Sequence, residues 1–411
     1  MARTVLLLGT LDTKGSELAY VRTCVEAHGL ETLVVDAGVL GEPAFEPDVG
    51  ADEVARAGGG SLTELRERAD RGTAVDVMIA GLEQVVRSLH AEGRVDGALG
   101  VGGGGRTALA TSAMRTLPVG VPKVMVSTMA SGDVSPYVGI RDLTLMYSVT
   151  DIAGLNPLTR TILANAAGAV AGMVAQDPPP APAERPMVAA SMFGVTTPCV
   201  DRVRDLLDEA GYEVVVFHAT GSGGRALESL VEEGWFVGVA DVTTTEWCDE
   251  VVGGVLSAGP DRLSAAGRAG IPQVVSVGAT DMVNFGGMDT VPEAFRDRTL
   301  YKHNPSVTLM RTTPEECREV GRRIAERLNA AEGPTVVMLP LRGVSMIDAA
   351  GQPFHDPEAD AALFAALRQG LRDGIEVVEV DAHVNDPGFA DAFAERMLRL
   401  LEAHDPAAPA S

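Results

Sequence analysis

The stretch Thr4–Asp36, TVLLLGTLDTKGSELAYVRTCVEAHGLETLVVD, decides the reading of the fold. Its apolar run Thr4–Gly9 suits a strand buried on both faces. A loop follows, then a helical pattern to His28, then Gly29 and a second apolar run, Glu31–Asp36. The same order returns later: MVAAS over Met187–Ser191, a loop, a helical stretch Cys199–Ala210, Gly211, and EVVVFH over Glu213–His218. A second pair of similar strings, GVPKVMVSTMASGD (Gly120–Asp133) and GIPQVVSVGATD (Gly270–Asp281), extends the parallel. The first half carries extra material, the acidic, glycine-rich Gly41–Gly72, in which Ser61 and Glu64 have capping-box spacing. Short apolar strands alternating with helical patterns predict an α/β chain of two Rossmann-like subdomains with mostly parallel sheets, related by internal duplication. The expected boundaries are 1–176 for the first subdomain, a proline-rich linker DPPPAPAERP over 177–186, 187–404 for the second subdomain, and a tail over 405–411. Further on, a helix is expected at Pro314–Asn329, strands at Thr335–Leu339 and Glu376–Val380, and a last helix to Ala403.

Composition narrows the partners. The 411 residues include 33 Lys+Arg against 57 Asp+Glu, a formal charge of −24. That balance argues against nucleic acid, whose binding depends on Lys/Arg displacing counterions, and against an anionic membrane. With 46% hydrophobic and 22% charged residues the chain can form ordinary cores. Cys24, Cys199, Cys248 and Cys317 show no CxxC spacing and read as free, mostly buried thiols in a reducing cytosol. The opening MARTVLLLGTLDTKG has too short an apolar run for a signal peptide, and the apolar segment Ala164–Ala175 is short and broken by glycine. A soluble cytoplasmic protein is expected.

In parallel α/β sheets ligands bind beyond the carboxyl ends of the strands, so the loops there carry the functional reading. The first, TLDTKG (Thr10–Gly15), can hold phosphate through hydroxyls and amides at a helix N-terminus, with Lys14 as a point charge and Asp12 reaching Mg2+ through water. Asp12 or Thr13 merely capping the helix is the plainer alternative. The second, GVGGGGRT (Gly100–Thr107), lets backbone N–H groups approach an anion closely, against the alternative of a flexible turn. It is neither a Walker A loop nor a clean GxGxxG, so NAD is weakly supported. A third, HATGSGGR (His218–Arg225), offers Gly221, Gly223 and Gly224 with Arg225 as an anion fork, or simply an exposed arginine on a tight turn. The fourth, DVTTTE (Asp241–Glu246), collects Asp241, three hydroxyls and Glu246 as a metal-water or base site, with Asp241 the metal candidate, although helix capping explains its threonines nearly as well.

A dispersed polar group remains: SVGATDMVN (Ser276–Asn284), KHNPS (Lys302–Ser306), LRGVSMID (Leu341–Asp348), His355–Asp356 and HVND (His383–Asp386). His303, His355 and His383 are candidates to converge as acid, base or ligands, with Ser345 or a cysteine as nucleophile. A three-histidine metal site is disfavoured, because lone loop histidines usually only hydrogen-bond. Cys248 beside Trp247 reads as packed, and the methionines as core or loop packing.

Taken together, TLDTKG, GVGGGGRT, GVPKVMVSTMASGD, HATGSGGR and HNPSVTLMRTT are distinctive. Over essentially its whole length the chain resembles the family containing the N-terminal ATP-binding domain of the tomato mosaic virus resistance protein and its bacterial relatives. The resemblance implies two Rossmann-like subdomains, Mg-ATP in a cleft between them, and a homodimer. It places nucleotide contacts on Thr10, Asp12, Thr13 and Lys14, on Gly102, Gly103, Gly104 and Gly105 with Arg106 and Thr107, and on Ser127 and Thr128. GGGG stands here where plant members look more like GGSGG, which removes a serine hydroxyl contact. Plant members and some bacterial neighbours also have a TIM-barrel domain similar to phosphoenolpyruvate hydrolases, so a separate TIM-barrel protein is a candidate partner. The antiviral role belongs to the plant host and is not carried over.

Three functions compete. The first is a Mg-ATP-binding protein, as an ATP-dependent enzyme acting on a small polar metabolite in the inter-domain cleft. The second is a non-catalytic, nucleotide-gated binding or regulatory module. The third is an ATP-independent lyase or hydrolase of a carbonyl acid, using His303, His355 or Ser345.

Overall fold

A computed structural model describes residues 3–68, 70–177 and 185–404. It divides into two units, Met1–Pro180 and Ala181–Ser411. Most of the expected linker 177–186, and all of the tail 405–411, lie outside the described residues.

The first unit holds β1 (Thr4–Gly9), β2 (Glu31–Asp36), β3 (Gly97–Gly102), β4 (Lys123–Ser127) and β5 (Thr144–Tyr147). They form one sheet in the order β2-β1-β3-β4-β5, parallel throughout. The helices are α1 (Leu11–Glu26), α2 (Ala51–Ala57), α3 (Leu62–Arg68), α4 (Arg71–Ala91), α5 (Gly104–Met114), α6 (Ser135–Val138) and α7 (Pro157–Ala175). Side chains alternate across a strand, and β1 is apolar on both faces: Leu6 and Leu8 meet Met78, Leu82 and Met114, while Val5 and Leu7 meet Leu18, Leu163 and Val170. Helix α7 is long and apolar enough by composition to cross a membrane. It instead buries Leu163, Ala166, Ala167 and Val170 in the core of this unit.

The second unit holds β6 (Met187–Met192), β7 (Glu213–His218), β8 (Gly238–Thr243), β9 (Gln273–Gly278), β10 (Met282–Phe285), β11 (Leu300–Asn304), β12 (Val307–Arg311), β13 (Thr335–Pro340) and β14 (Glu376–Val380). Six of these form a parallel sheet, β14-β13-β9-β8-β6-β7, and β10-β12-β11 form a small antiparallel one. Its helices are α8 (Thr197–Glu209), α9 (Ser222–Glu232), α10 (Glu246–Val252), α11 (Ala265–Ala269), α12 (Pro314–Asn329), α13 (Pro357–Gly370) and α14 (Pro387–His404).

Counted from its own first strand, the first parallel sheet runs 2-1-3-4-5 and the second 2-1-3-4-5-6, the doubly wound order whose switch point lies between strands one and three. This order is common among doubly wound sheets, so it speaks to topology and leaves the expected duplication open. Two strands sit further along the chain than expected. The sequence pattern puts one at Val95–Leu99, yet β3 runs through Gly102. Its glycines belong to the strand because side chains crowd them: a Cβ at Gly97 would lie 2.5 Å from Val174 Cγ2, and one at Gly100 would lie 2.7 Å from Met125 Sδ. Likewise the sequence pattern puts a strand at Phe236–Ala240, yet β8 runs from Gly238 to Thr243.

Candidate functional site

The switch point of the first sheet brings the β1–α1 and β3–α5 loops side by side. Thr10 Oγ1 and Thr13 Oγ1 are 2.8 Å apart within the first loop. Arg106, in the first turn of α5, crosses to both of them: Nε donates to Thr10 Oγ1 at 2.8 Å and Nη2 to Thr13 Oγ1 at 2.9 Å. Among the described residues no carboxylate pairs with this guanidinium, so its charge is unneutralised. Beside it, the N–H groups of Gly104, Gly105 and Arg106 find no acceptor among the described residues; the first N–H taken up is that of Thr107, by Gly103 O at 2.7 Å. Free donors, the positive end of a helix and a lone guanidinium make an anion site.

This polar corner opens into a cavity of about 500 Å3. Thr10, Asp12, Thr13, Gly105 and Arg106 line one end, and Ala37, Val39, Leu40, Leu65, Ala74, Val75, Met78 and Leu109, with Arg66 and Asp70, line the rest. The apolar wall comes largely from α3, α4 and the loop after β2, within and beside the segment read from sequence only as an insertion. Arg66 fastens that loop, donating to Val39 O at 2.9 Å and Gly41 O at 2.7 Å.

Several expected contacts take other roles. Lys14 points away: Nζ donates to the Ile152 carbonyl and lies 3.8 Å from Glu17 Oε1, and it does not line the cavity. Its backbone, at φ −129° and ψ 18°, leaves helical geometry and swings the side chain aside. Asp12 does line the cavity, but its Oδ2 accepts from Leu40 N at 2.7 Å and Gly41 N at 3.2 Å, clamping the loop after β2. Thr107 and Ser127 are fully buried behind the turn, their hydroxyls 2.7 Å apart. They shape the anion corner without facing it. Thr128 is half-buried nearby; a Cβ at Gly103 would come 3.5 Å from its Oγ1. Sequence reading missed Asp36, which is 2% exposed and accepts from Leu11 N and Gly38 N, each at 2.8 Å. Burial raises its pKa above the usual carboxylate value, and it fixes both loops from beneath.

The glycine loop of the second unit is already filled from within. Gly221 N and Gly224 N donate to Glu246 Oε1 at 2.7 and 3.1 Å, so this nest holds the protein's own carboxylate where a phosphate was expected. A Cβ at Gly224 would stand 2.2 Å from Glu246 Oε2, and one at Gly223 would stand 1.8 Å from His218 O. These glycines make room for packing. Arg225 is exposed and donates to Ser257 O at 3.2 Å. Glu246 belongs to a buried cluster around Arg262, which is 1% exposed. Arg262 donates to Glu246 Oε2 at 2.7 Å, to both Asp241 oxygens at 2.6 and 2.7 Å, and to Glu228 Oε1 at 3.1 Å. Ser191 Oγ adds a bond to Asp241 at 2.6 Å. Asp241 is thereby occupied by a guanidinium and a hydroxyl, which corrects its expected role as metal ligand. Among the described residues no group of three or more His, Cys, Asp or Glu side chains is placed to hold a metal ion.

The three histidines do not form one centre. His303 lies exposed on β11. His383 is held on both sides, Nε2 to Ser345 O at 2.8 Å and Nδ1 accepting from Asn385 N at 3.1 Å. His355 Nδ1 meets Asp348 O at 3.0 Å. Ser345 is fully buried and its hydroxyl donates to Asp281 Oδ2 at 2.7 Å, so no histidine activates it and no solvent reaches it. The cysteines are free; burial pushes the Cys199 thiol up to about 12 and Cys317 to about 11, which leaves them unreactive.

Two family models match: the N-terminal domain of the uncharacterised protein family UPF0261 over residues 3–179, and the C-terminal domain of the same family over residues 185–401. A UPF0261 protein of Clostridium tetani is 51% identical over 403 residues, covering 98% of this chain and 100% of its own. The tomato ToMV resistance protein Tm-1(GCR237) is 44% identical over 337 residues, which is 80% of this chain but 45% of that protein. A solved UDP-N-acetylglucosamine 2-epimerase of Rickettsia bellii is 10% identical with a TM-score of 0.23, covering 98% of this chain and 97% of its own, too remote to bear on fold or ligand.

Proposed function

The chain belongs to the UPF0261 family, and from that premise we propose that it is an ATP-binding protein whose nucleotide sits at the switch point of the first sheet. One observation carries this reading: a hydroxyl-anchored Arg106 with no carboxylate partner among the described residues and free N–H groups at the start of α5 meet at one polar end of a cavity of about 500 Å3 whose remaining walls are mostly apolar. The phosphates belong against Arg106, Gly104 and Gly105, and the base against Leu65, Met78 and Leu109. Mg2+ fits as an ion carried by the phosphates and water, with Asp12 the cavity's nearest carboxylate to them; bound there, it would neutralise phosphate charge. The apolar wall favours a nucleoside over inorganic phosphate alone.

Titration calorimetry with ATP, ADP and NAD, each with and without Mg2+, tests the reading. ATP or ADP should bind saturably, and Arg106→Ala should weaken binding at least about tenfold, the effect of losing a charge-assisted hydrogen-bonding partner. Absence of heat and of thermal stabilisation with every adenine nucleotide overturns it. We read the protein further as an ATP-dependent enzyme for a small polar metabolite rather than a serine hydrolase, since Ser345 and His383 do not meet through the hydroxyl. ATP consumed only when a metabolite is added marks the enzyme, and tight ATP without turnover marks a gated module. Unpaired cysteines suit a cytoplasmic setting.

A further inference from the structure

A second cavity, of about 470 Å3, lies within the second unit beyond the carboxyl end of β13, where doubly wound sheets take ligands, and runs along α13 from Pro357 to Arg368. Leu341, Ala361 and Phe364 give it apolar walls, and His355, Asp360, Arg342 and Arg368 give it polar ones. The tautomer of His355 follows from its partner. Nδ1 stands 3.0 Å from the Asp348 backbone oxygen, which can only accept, so the neutral ring carries its proton on Nδ1 and offers Nε2 as an acceptor. Nε2 has no partner among the described residues, in contrast to His383, both of whose ring nitrogens are engaged. Asp360 is nine-tenths buried and anchored by Arg311 Nη2 at 2.8 Å, which also reaches Asp348 Oδ1 at 3.3 Å. Burial and the neighbouring Asp348 carboxyl push Asp360 up to about 7, and the bond from Arg311 pairs its carboxylate within the protein. Among the described residues Arg342 and Arg368 pair only with exposed or half-exposed carboxylates, Asp381 and Glu379, and such pairs exchange readily for a ligand's carboxylate.

We propose that this cavity binds a small hydroxy-carboxylate, its hydroxyl donating to His355 Nε2 and its carboxylate held by Arg368 and Arg342. An imidazole acceptor and two guanidinium donors lining one cavity select a ligand carrying both a hydroxyl proton and a negative charge. The site is independent of the nucleotide reading and lies in the other unit.

The test uses the full chain and malate as the probe, with succinate, which lacks the hydroxyl, and inorganic phosphate for comparison. Calorimetry should show saturable malate binding, with succinate and phosphate weaker by about tenfold or more. His355→Phe should remove the preference for malate over succinate, and Arg368→Ala should weaken both by about tenfold. Both side chains are surface-exposed, and an unchanged melting temperature verifies that the variants fold. The ATP titration of the same variants should be unchanged, which separates failure here from failure of the nucleotide site. No saturation by malate at tens of millimolar, equal binding of succinate or phosphate, or an unchanged preference in His355→Phe would each overturn the proposal.

Discussion

Arg106 spends two of its donor positions on hydroxyls of the neighbouring loop, Thr10 Oγ1 at 2.8 Å and Thr13 Oγ1 at 2.9 Å. Those bonds orient the guanidinium without neutralising it. The backbone beneath is equally specific: a Cβ at Gly102 would lie 2.3 Å from Arg106 Cβ, so the turn needs glycine there for close approach. A lysine keeps the charge but lacks the planar fork that reaches both hydroxyls and an anion together. Arg106→Lys is therefore expected to retain part of the ATP affinity, falling between the wild type and Arg106→Ala, and to show a steeper loss with added salt because its charge is no longer fixed in place. Calorimetry at low and physiological ionic strength reads both effects; a lysine variant equal to wild type would show that charge alone suffices. Arg106 was legible in the sequence because it follows four glycines after a strand. Lys14 was legible as a residue but not in its direction, since one non-helical residue turned it toward Ile152 and Glu17.

At the scale of elements, β1, β2, β7, β14 and α12 lie where their apolar periodicity puts them, because each has an uninterrupted pattern bounded by loop residues. The antiparallel β10-β12-β11 sheet was not legible: its strands carry Asn284, Lys302, His303 and Arg311, which read as polar loop, and only the long-range pairing of β10 with β12 makes them strands. The glycine loop of the second unit was recognised as an anion nest, yet its occupant comes from Glu246, distant in sequence and invisible to local pattern. This unit buries acids heavily. Asp249 is pushed up to about 7 by burial, against an ordinary value of 3.8. A carboxyl group whose pKa is higher in the folded than in the unfolded chain binds more protons when folded across the window between the two values. Its contribution to stability is complete below about pH 4 and is lost as pH rises toward 7, with a slope of up to about 1.4 kcal/mol per pH unit for one group. The chain's two tryptophans, Trp235 and Trp247, both lie in this unit, so urea unfolding followed by their fluorescence reports it selectively. Asp249→Asn should flatten the decline between pH 5 and 7. The introduced amide can be accommodated because Asn284, now donating Nδ2 to Asp249 at 2.7 Å, has an unpartnered Oδ1 to turn toward it. An unchanged slope would assign the pH dependence to other buried acids.

Across the whole molecule, the charge of −24 is compatible with an anionic ligand because the proposed phosphate contacts are local: helix-end N–H groups and one guanidinium. The acidic surface opposes polyanions over a large area, while a nucleotide meets a single polarised corner. Both sheets have a switch point, but their chemistry there differs, with open donors in the first and the buried Arg262 cluster in the second. Hydrogen exchange on the full chain, with and without Mg-ATP, makes this asymmetry measurable. At a hundredfold excess over the dissociation constant, ligand stabilises the state that binds it by about 2.7 kcal/mol. Protection should rise in the segments Thr10–Gly15 and Gly102–Thr107 and in α3 and α4, which supply the apolar wall. The loop Gly221–Arg225 should keep its exchange rates, because the N–H groups of Gly221 and Gly224 are satisfied by Glu246, and those of Ser222 and Arg225 by backbone oxygens, whether or not nucleotide is present. Protection confined to the first unit supports a site built by one sheet alone. New protection at Gly221–Arg225 would mean that nucleotide displaces Glu246 or engages the second loop, and the single-sheet site would have to be abandoned.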